Sequence, residues 1–367
     1  MILMKEKVKA LVKKIKDEAK DLKNIKIMHL CGTHEDTVTR YNIRSLLPEN
    51  IELLSGPGCP VCITPDIDLQ EIFHLIKNAK ITLTTFGDMA RVPFEKKSLF
   101  YYKSKGYDIK IVYSIFDAIE LAKRGNKPVV HFAIGFETTM PSTALAILDG
   151  VDNFYVYSSH RFFVPAMEAL LRAGEIKIHG FINPGHVSTI VGVKAYEHLR
   201  KYGIPQVIAG FEPYDVILAV YYLIKALKDK DDGNSGALIN EYTRAVRYKG
   251  NVRAQKVINE VFNREDWEWR GLGVVPNSGG SIKKKYEDFD AKKQFEDTFD
   301  DFEPKIDVAK KACRCGEVLR GLITPEKCPL FLKVCTPKDP VGPCMVSFEG
   351  MCNIWARYRK DFDLAVI

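Results

Sequence analysis

Eight short β-rich runs alternate with helical patterns along most of this chain, and that alternation restricts the fold more than any other feature. The runs are Lys26 to Leu30, Ile51 to Leu54, Ile81 to Thr85, Ile109 to Tyr113, Val129 to Ile134, Phe154 to Tyr157, Ile176 to Ile182 and Gln206 to Ala209. Helical spacing fills most intervals, at Asp66 to Asn78, Phe116 to Arg124, Ser142 to Leu148, Pro165 to Ala173, Ser188 to Tyr202 and Tyr214 to Leu227. Strand, helix, strand at this spacing predicts an α/β fold of parallel sheets with right-handed crossovers. Ile134-Gly135-Phe136-Glu137 and Ala209-Gly210-Phe211-Glu212 echo one another at the ends of two runs, which favours two similar four-stranded sheets over one large sheet. A chain of 367 residues suits two or three domains. Gly, Asn and Pro at Arg124 to Pro128 punctuate the pattern, and a polar loop follows at Lys228 to Gly236. The expected organisation is therefore an N-terminal α/β domain over 1–125, a second over 126–232, and a C-terminal domain of different, mainly helical character over 233–367.

Charge narrows the partners. The net charge is +7, but residues 1–26 hold nine Lys against Glu6, Asp17, Glu18 and Asp21 and supply +5 of it. Val8, Leu11, Val12, Ile15, Ala19 and Leu22 recur there at helical spacing, so the lysines read as the solvated face of an amphipathic helix. The remainder is almost balanced, which gives no basic face for nucleic acid. The longest uninterrupted apolar run, Val216 to Ile224, falls short of the roughly 18 residues of a membrane span. Only Ile2, Leu3 and Met4 precede the lysines, too few for a secretory core, so a cytoplasmic location is expected. Cytosol keeps thiols reduced, and nine cysteines then require chemistry other than structural disulfides.

Three cysteine sets stand out. Cys31-Gly32-Thr33-His34-Glu35 follows the first β-run and precedes a helix expected to begin near Asp36, where parallel sheets form their ligand crevices. Gly56-Pro57-Gly58-Cys59-Pro60-Val61-Cys62 lies at the next strand-to-helix turn. A Cys-x-x-Cys at such a turn resembles redox dithiols, whose thiolates the helix dipole stabilises. The same spacing serves half of a zinc site, which Cys31 and His34 could complete. The third set is Cys313, Cys328, Cys335 and Cys352, with 14, 6 and 16 residues between them. Long spacings suit a four-iron four-sulfur cluster, whereas structural zinc draws cysteines in close pairs. Cys315 could replace Cys313 as first ligand, and Cys344 stays outside the set. Gly271-Leu272-Gly273 and Gly279-Gly280 lack the Lys-Ser/Thr of a phosphate loop.

Together with Thr85-Phe86-Gly87-Asp88-Met89, Gly135-Phe136-Glu137-Thr138-Thr139, Cys328-Pro329-Leu330-Phe331 and Met345-Val346-Ser347-Phe348-Glu349-Gly350, these motifs resemble the hydrogenase maturation factor HypD family. They run in order from residue 31 to 352, nearly the whole chain. The resemblance implies a scaffold and redox partner on which the iron centre of nickel-iron hydrogenases is assembled, an accessory protein rather than a conventional metabolic enzyme. By that resemblance Cys31 holds the transient iron with its cyanides and carbon monoxide, together with a HypC-type small chaperone. A HypE-type protein donates cyanide, Cys59 and Cys62 form the redox dithiol, and Cys313, Cys328, Cys335 and Cys352 bind the four-iron four-sulfur cluster. His34 could move protons or bind iron, and Glu35 could orient the Cys31 thiol or simply begin a helix. His186 and Glu349 are further candidates, the second because it precedes Cys352 by one helical turn. Two other readings share the residues: a stand-alone iron-sulfur-dependent thiol-disulfide oxidoreductase, and a zinc-binding interaction protein.

Overall fold

The computed structural model describes residues 2–229 and 236–358, so most of the expected polar loop after Lys228, and with it the 232/233 boundary, lies outside the described residues. Every expected β-run becomes a strand: β1 Ile25–His29, β2 Ile51–Ser55, β3 Thr82–Thr85, β4 Ile109–Ile111, β5 Val129–Gly135, β6 Phe154–His160, β7 Gly180–Pro184 and β8 Gln206–Ala209. All pair in parallel, which makes the α/β class a property of the structure. β5 is buried at every position, the signature of a strand covered on both faces.

The grouping of the strands differs from the expectation. One sheet has the order β2-β1-β7-β8-β9, with β9 spanning Leu238–Asn240, and the other has the order β4-β3-β5-β6. Strands on either side of residue 125 therefore pair, β1 with β7 and β3 with β5, so the sheets do not divide where Gly125 and Pro128 punctuate the sequence. The helix Asp66–Asn78 carries the chain from the first sheet into the second, and the chain returns between β6 and β7. Glycine and proline mark turns, not sheet membership.

The amphipathic first helix, Ile2–Glu18, packs on Pro213–Lys228. Val8, Leu11 and Ile15 join Val216, Val220 and Leu223 in one core cluster, and Lys228 pairs with Glu18 at 2.6 Å. The expected helix over 188–202 is instead Gly185–Val191 followed by a 3-10 segment, Val193–Tyr202, because Gly192 turns the backbone at φ 77°. Beyond residue 236 the chain holds an element absent from the sequence reading: an antiparallel pair, β10 Phe262–Trp269 and β11 Gly273–Ile282. Short helices follow, ending in Met351–Tyr358, which lies against Gly32–Arg40. The C-terminal cysteines thereby return to the first sheet. No helix among the described residues is long and apolar enough to cross a membrane.

Candidate functional site

In the first sheet the chain leaves β1 toward β2 on one side and finds β7 on the other, so the carboxyl ends of β1 and β7 form the crevice where open parallel sheets bind ligands. Cys31 sits there. Leu30 donates its amide to the Ile182 carbonyl at 3.1 Å, and the helix Gly32–Arg40 begins immediately after Cys31, four residues earlier than its expected start at Asp36. Cys31 is thus the helix N-cap residue. Burial and the Glu349 carboxylate push its thiol up to about 11, against the Thr33 and His34 amides of the first turn. A buried neutral thiol there is a ligand that ionises when a cation arrives.

The dithiol loop is packed directly on this position. A Cβ on Gly58 would lie 2.5 Å from the Cys31 Cα and N, so only glycine lets the two backbones approach so closely. Gly56 donates to the His29 carbonyl at 2.9 Å, which fastens the loop to β1. Cys59 and Cys62 are disulfide-bonded, with Cα atoms 5.2 Å apart, and Cys59 Sγ accepts the Cys62 amide at 3.2 Å. Gly32, Cys59, Cys62 and Glu349 line one small cavity. A Cβ on Gly32 would meet the Glu349 Cβ and carbonyl oxygen at 2.5 Å, and Thr33 Oγ1 donates to Glu349 Oε1 at 3.5 Å. Burial, with Asp88 nearby, raises the Glu349 carboxyl above its ordinary value.

The remaining candidates divide. His34 is fully buried, donates Nε2–H to the Gly210 carbonyl at 2.9 Å, and is pushed down to about 3 by burial and by His29, so it stays neutral. Its Nδ1 has no hydrogen-bond partner among the described residues. Phe211 lies between it and exposed His186, with ring centroids 4.9 Å and 4.0 Å away. Glu35 is the hub of a buried network: Arg44 donates at 2.8 and 2.9 Å, His29 Nε2 at 2.7 Å, Trp355 Nε1 at 2.8 Å and Thr39 Oγ1 at 2.5 Å. Burial alone would raise its carboxyl, but Arg44 and His29 hold it well below the usual range. Both oxygens are engaged by the fold itself, and through Trp355 the network fastens the C-terminal helix to Gly32–Arg40.

Cys313, Cys328, Cys335 and Cys352 line a second cavity with two more cysteines, Cys315 and Cys344. The cavities share Val318. Cys315 Sγ, the alternative first ligand, and Cys344 Sγ stand 2.8 Å apart, a pairing that the sequence does not mark. Arg270 was also missed. It donates to the Thr64 carbonyl and to Asp66 at 2.8 Å beside the Cys59–Cys62 loop, and its guanidinium acts electrostatically on Cys315 and Cys344. No spacing rule marks it, because it sits in the turn of the unforeseen β10–β11 pair.

The donor set around this cavity fits an iron-sulfur cluster. Burial and the neighbouring Cys315, Cys335, Cys313 and Cys328 hold the Cys352 thiol well above its ordinary value, so that sulfur sheds its proton only against concentrated positive charge. A Cβ on Gly342 would lie 3.0 Å from Cys313 Sγ, so glycine keeps that side open. Among the described residues no group of three or more His, Cys, Asp or Glu converges on a point as a single-ion site does; the six cysteines surround a space instead.

Comparison with known proteins adds the lineage. Residues 6–359 match the family model HypD, described as the hydrogenase formation hypA family. A Methanocaldococcus jannaschii protein named for hydrogenase expression and formation is 45% identical over 359 residues, 96% of this chain and 97% of its own. The hydrogenase maturation factor HypD of Azotobacter vinelandii is 40% identical, covering 97% of this chain and 95% of its own. That of Escherichia coli K12 is 37% identical, covering 97% and 96%.

Proposed function

This chain belongs to the HypD family of hydrogenase maturation factors, and from that premise we propose that it is the scaffold on which the iron centre of a nickel-iron hydrogenase receives its cyanides. The observation that carries the reading is the apposition of Gly58 on Cys31, which joins the dithiol loop to the crevice thiol.

In this reading the iron with its cyanides and carbon monoxide is cargo. Cys31 grips it as a soft thiolate suited to low-spin iron, and a HypC-type chaperone supplies a further ligand. Cyanide arrives as a thiocyanate on the carrier sulfur of a HypE-type partner. Its release takes two electrons: carrier–SCN plus the Cys59 and Cys62 thiols gives carrier–SH, the Cys59–Cys62 disulfide, cyanide and a proton. Cyanide passes to the iron at Cys31. Glu349 lines the same cavity as the dithiol, and its raised carboxyl accepts the proton at an oxygen. Neutral His34 holds the helix that presents Cys31 against β8 through the Gly210 carbonyl. Cys313, Cys328, Cys335 and Cys352 would hold the four-iron four-sulfur cluster, which supplies electrons singly when bound. Cys315 interacts with Cys313 as well as with Cys344, so the choice of Cys313 as first ligand rests on the family resemblance.

Infrared spectroscopy of the anaerobically purified chain with its small chaperone tests the proposal, because metal-bound cyanide and carbon monoxide absorb where protein does not. Both sets of bands are expected. A protein that cycles its disulfide yet shows no such bands is the stand-alone oxidoreductase, and a colourless protein containing zinc and no iron is the interaction protein.

A further inference from the structure

We propose that a surface groove behind the cysteine cavity is the landing site for a small acidic protein that delivers single electrons to this chain. The proposal rests on the reading that the cavity holds an iron-sulfur cluster. Cavity and groove are the two sides of one wall. Phe331, Gly342 and Met345 face the cysteines, whereas their chain neighbours Leu330, Val341 and Val346 line the groove. The wall is one residue thick, and the Val341 amide on the groove side donates to Cys335 Sγ at 3.3 Å. An electron carrier seated there would be separated from the Cys335 sulfur by this wall alone.

The groove, of about 470 Å³, has the chemistry of a transient protein contact. Val334, 58% exposed, gives its lining an exposed apolar side chain. Lys96 and Lys338 line it and Lys333 adjoins Val334; all three are exposed, and none forms an ion pair among the described residues. Arg91 is compensated by Asp88 at 3.5 Å. Of the two carboxylates in the lining, Asp307 is buried with Lys310 3.8 Å away, which leaves Asp339 as the exposed negative group. Unpaired lysines around an exposed valine favour an acidic partner, whose approach the charges steer. Each encounter moves one electron from the reduced carrier, which is oxidised, to the chain, which is reduced; no bond forms or breaks.

The test uses the anaerobically purified full chain, with bleaching of its visible absorbance followed by stopped flow after mixing with a reduced acidic two-iron ferredoxin or with dithionite. In Lys333→Glu/Lys338→Glu the ferredoxin reaction is expected to slow by about tenfold or more at low salt, the difference closing at high salt, as steered encounters do. The dithionite reaction should stay close to wild type. Ferredoxin bleaching that is indifferent to the charge reversal, or absent in the wild type while dithionite bleaches it, overturns the docking site. A chain with no visible absorbance to bleach overturns the cluster reading instead.

Discussion

Replacing Cys59 with Ser is expected to abolish cyanide loading while leaving the visible absorbance of the protein intact. A dithiol delivers two electrons only as a pair, and Cys62 alone cannot close the disulfide that offsets reduction of the carrier thiocyanate. The fold should tolerate the change, because a serine oxygen can accept the Cys62 amide that Cys59 Sγ accepts at 3.2 Å. Visible absorbance should persist because Cys59 lines a different cavity from the six C-terminal cysteines. Anaerobic purification followed by infrared and visible spectra gives both readouts from one sample. Undiminished cyanide bands in Cys59→Ser would refute the role of the pair.

Glu35→Ala should destabilise the protein by about 3–5 kcal/mol, the cost of removing one partner from a buried charged network. Arg44, His29 and Trp355 would all lose the carboxylate that satisfies them. The loss is expected to depend on pH in a definite direction. The native carboxyl is held well below its ordinary value of 4.5, so the unfolded chain takes up the proton first as the solution is acidified. Glu35 therefore stabilises fully above about pH 4.5, and its contribution fades as the pH falls through the depressed native value. Denaturant unfolding of wild type and Glu35→Ala at pH 7 and pH 4 should show a gap that narrows in acid. A constant gap would mean that packing, not charge, carries the effect.

These two residues also show how far the sequence can be read. The strands were legible because parallel sheets need buried apolar runs, and Gln206 to Ala209 appears in the structure with the boundaries expected of it. Their grouping was not, since β1 and β3 carry no local mark of which sheet will take them. The β10–β11 pair escaped for another reason: Phe262–Trp269 is exposed at most positions and reads as a charged segment, and Gly273–Ile282 is rich in turn formers. The pair forms through antiparallel partnering, with Gly279 accommodating the Trp267 ring. Within the site, the strand-to-helix turns marked Cys31, Cys59 and Cys62, whereas Glu349, noted only for preceding Cys352 by one turn, joins the dithiol cavity through folding. Glu35 stood in the same motif, and nothing in its spacing announced that both oxygens are occupied by the fold. Cys315 and Cys344 are 29 residues apart and meet only through folding.

The account turns on Cys31 as the grip on the iron cargo, and the most direct measurement is the infrared spectrum of Cys31→Ser beside the native complex, prepared anaerobically with the same chaperone. The account predicts that the metal-bound cyanide and carbon monoxide bands vanish in the variant while its visible absorbance is retained. Bands of native intensity in Cys31→Ser would contradict it.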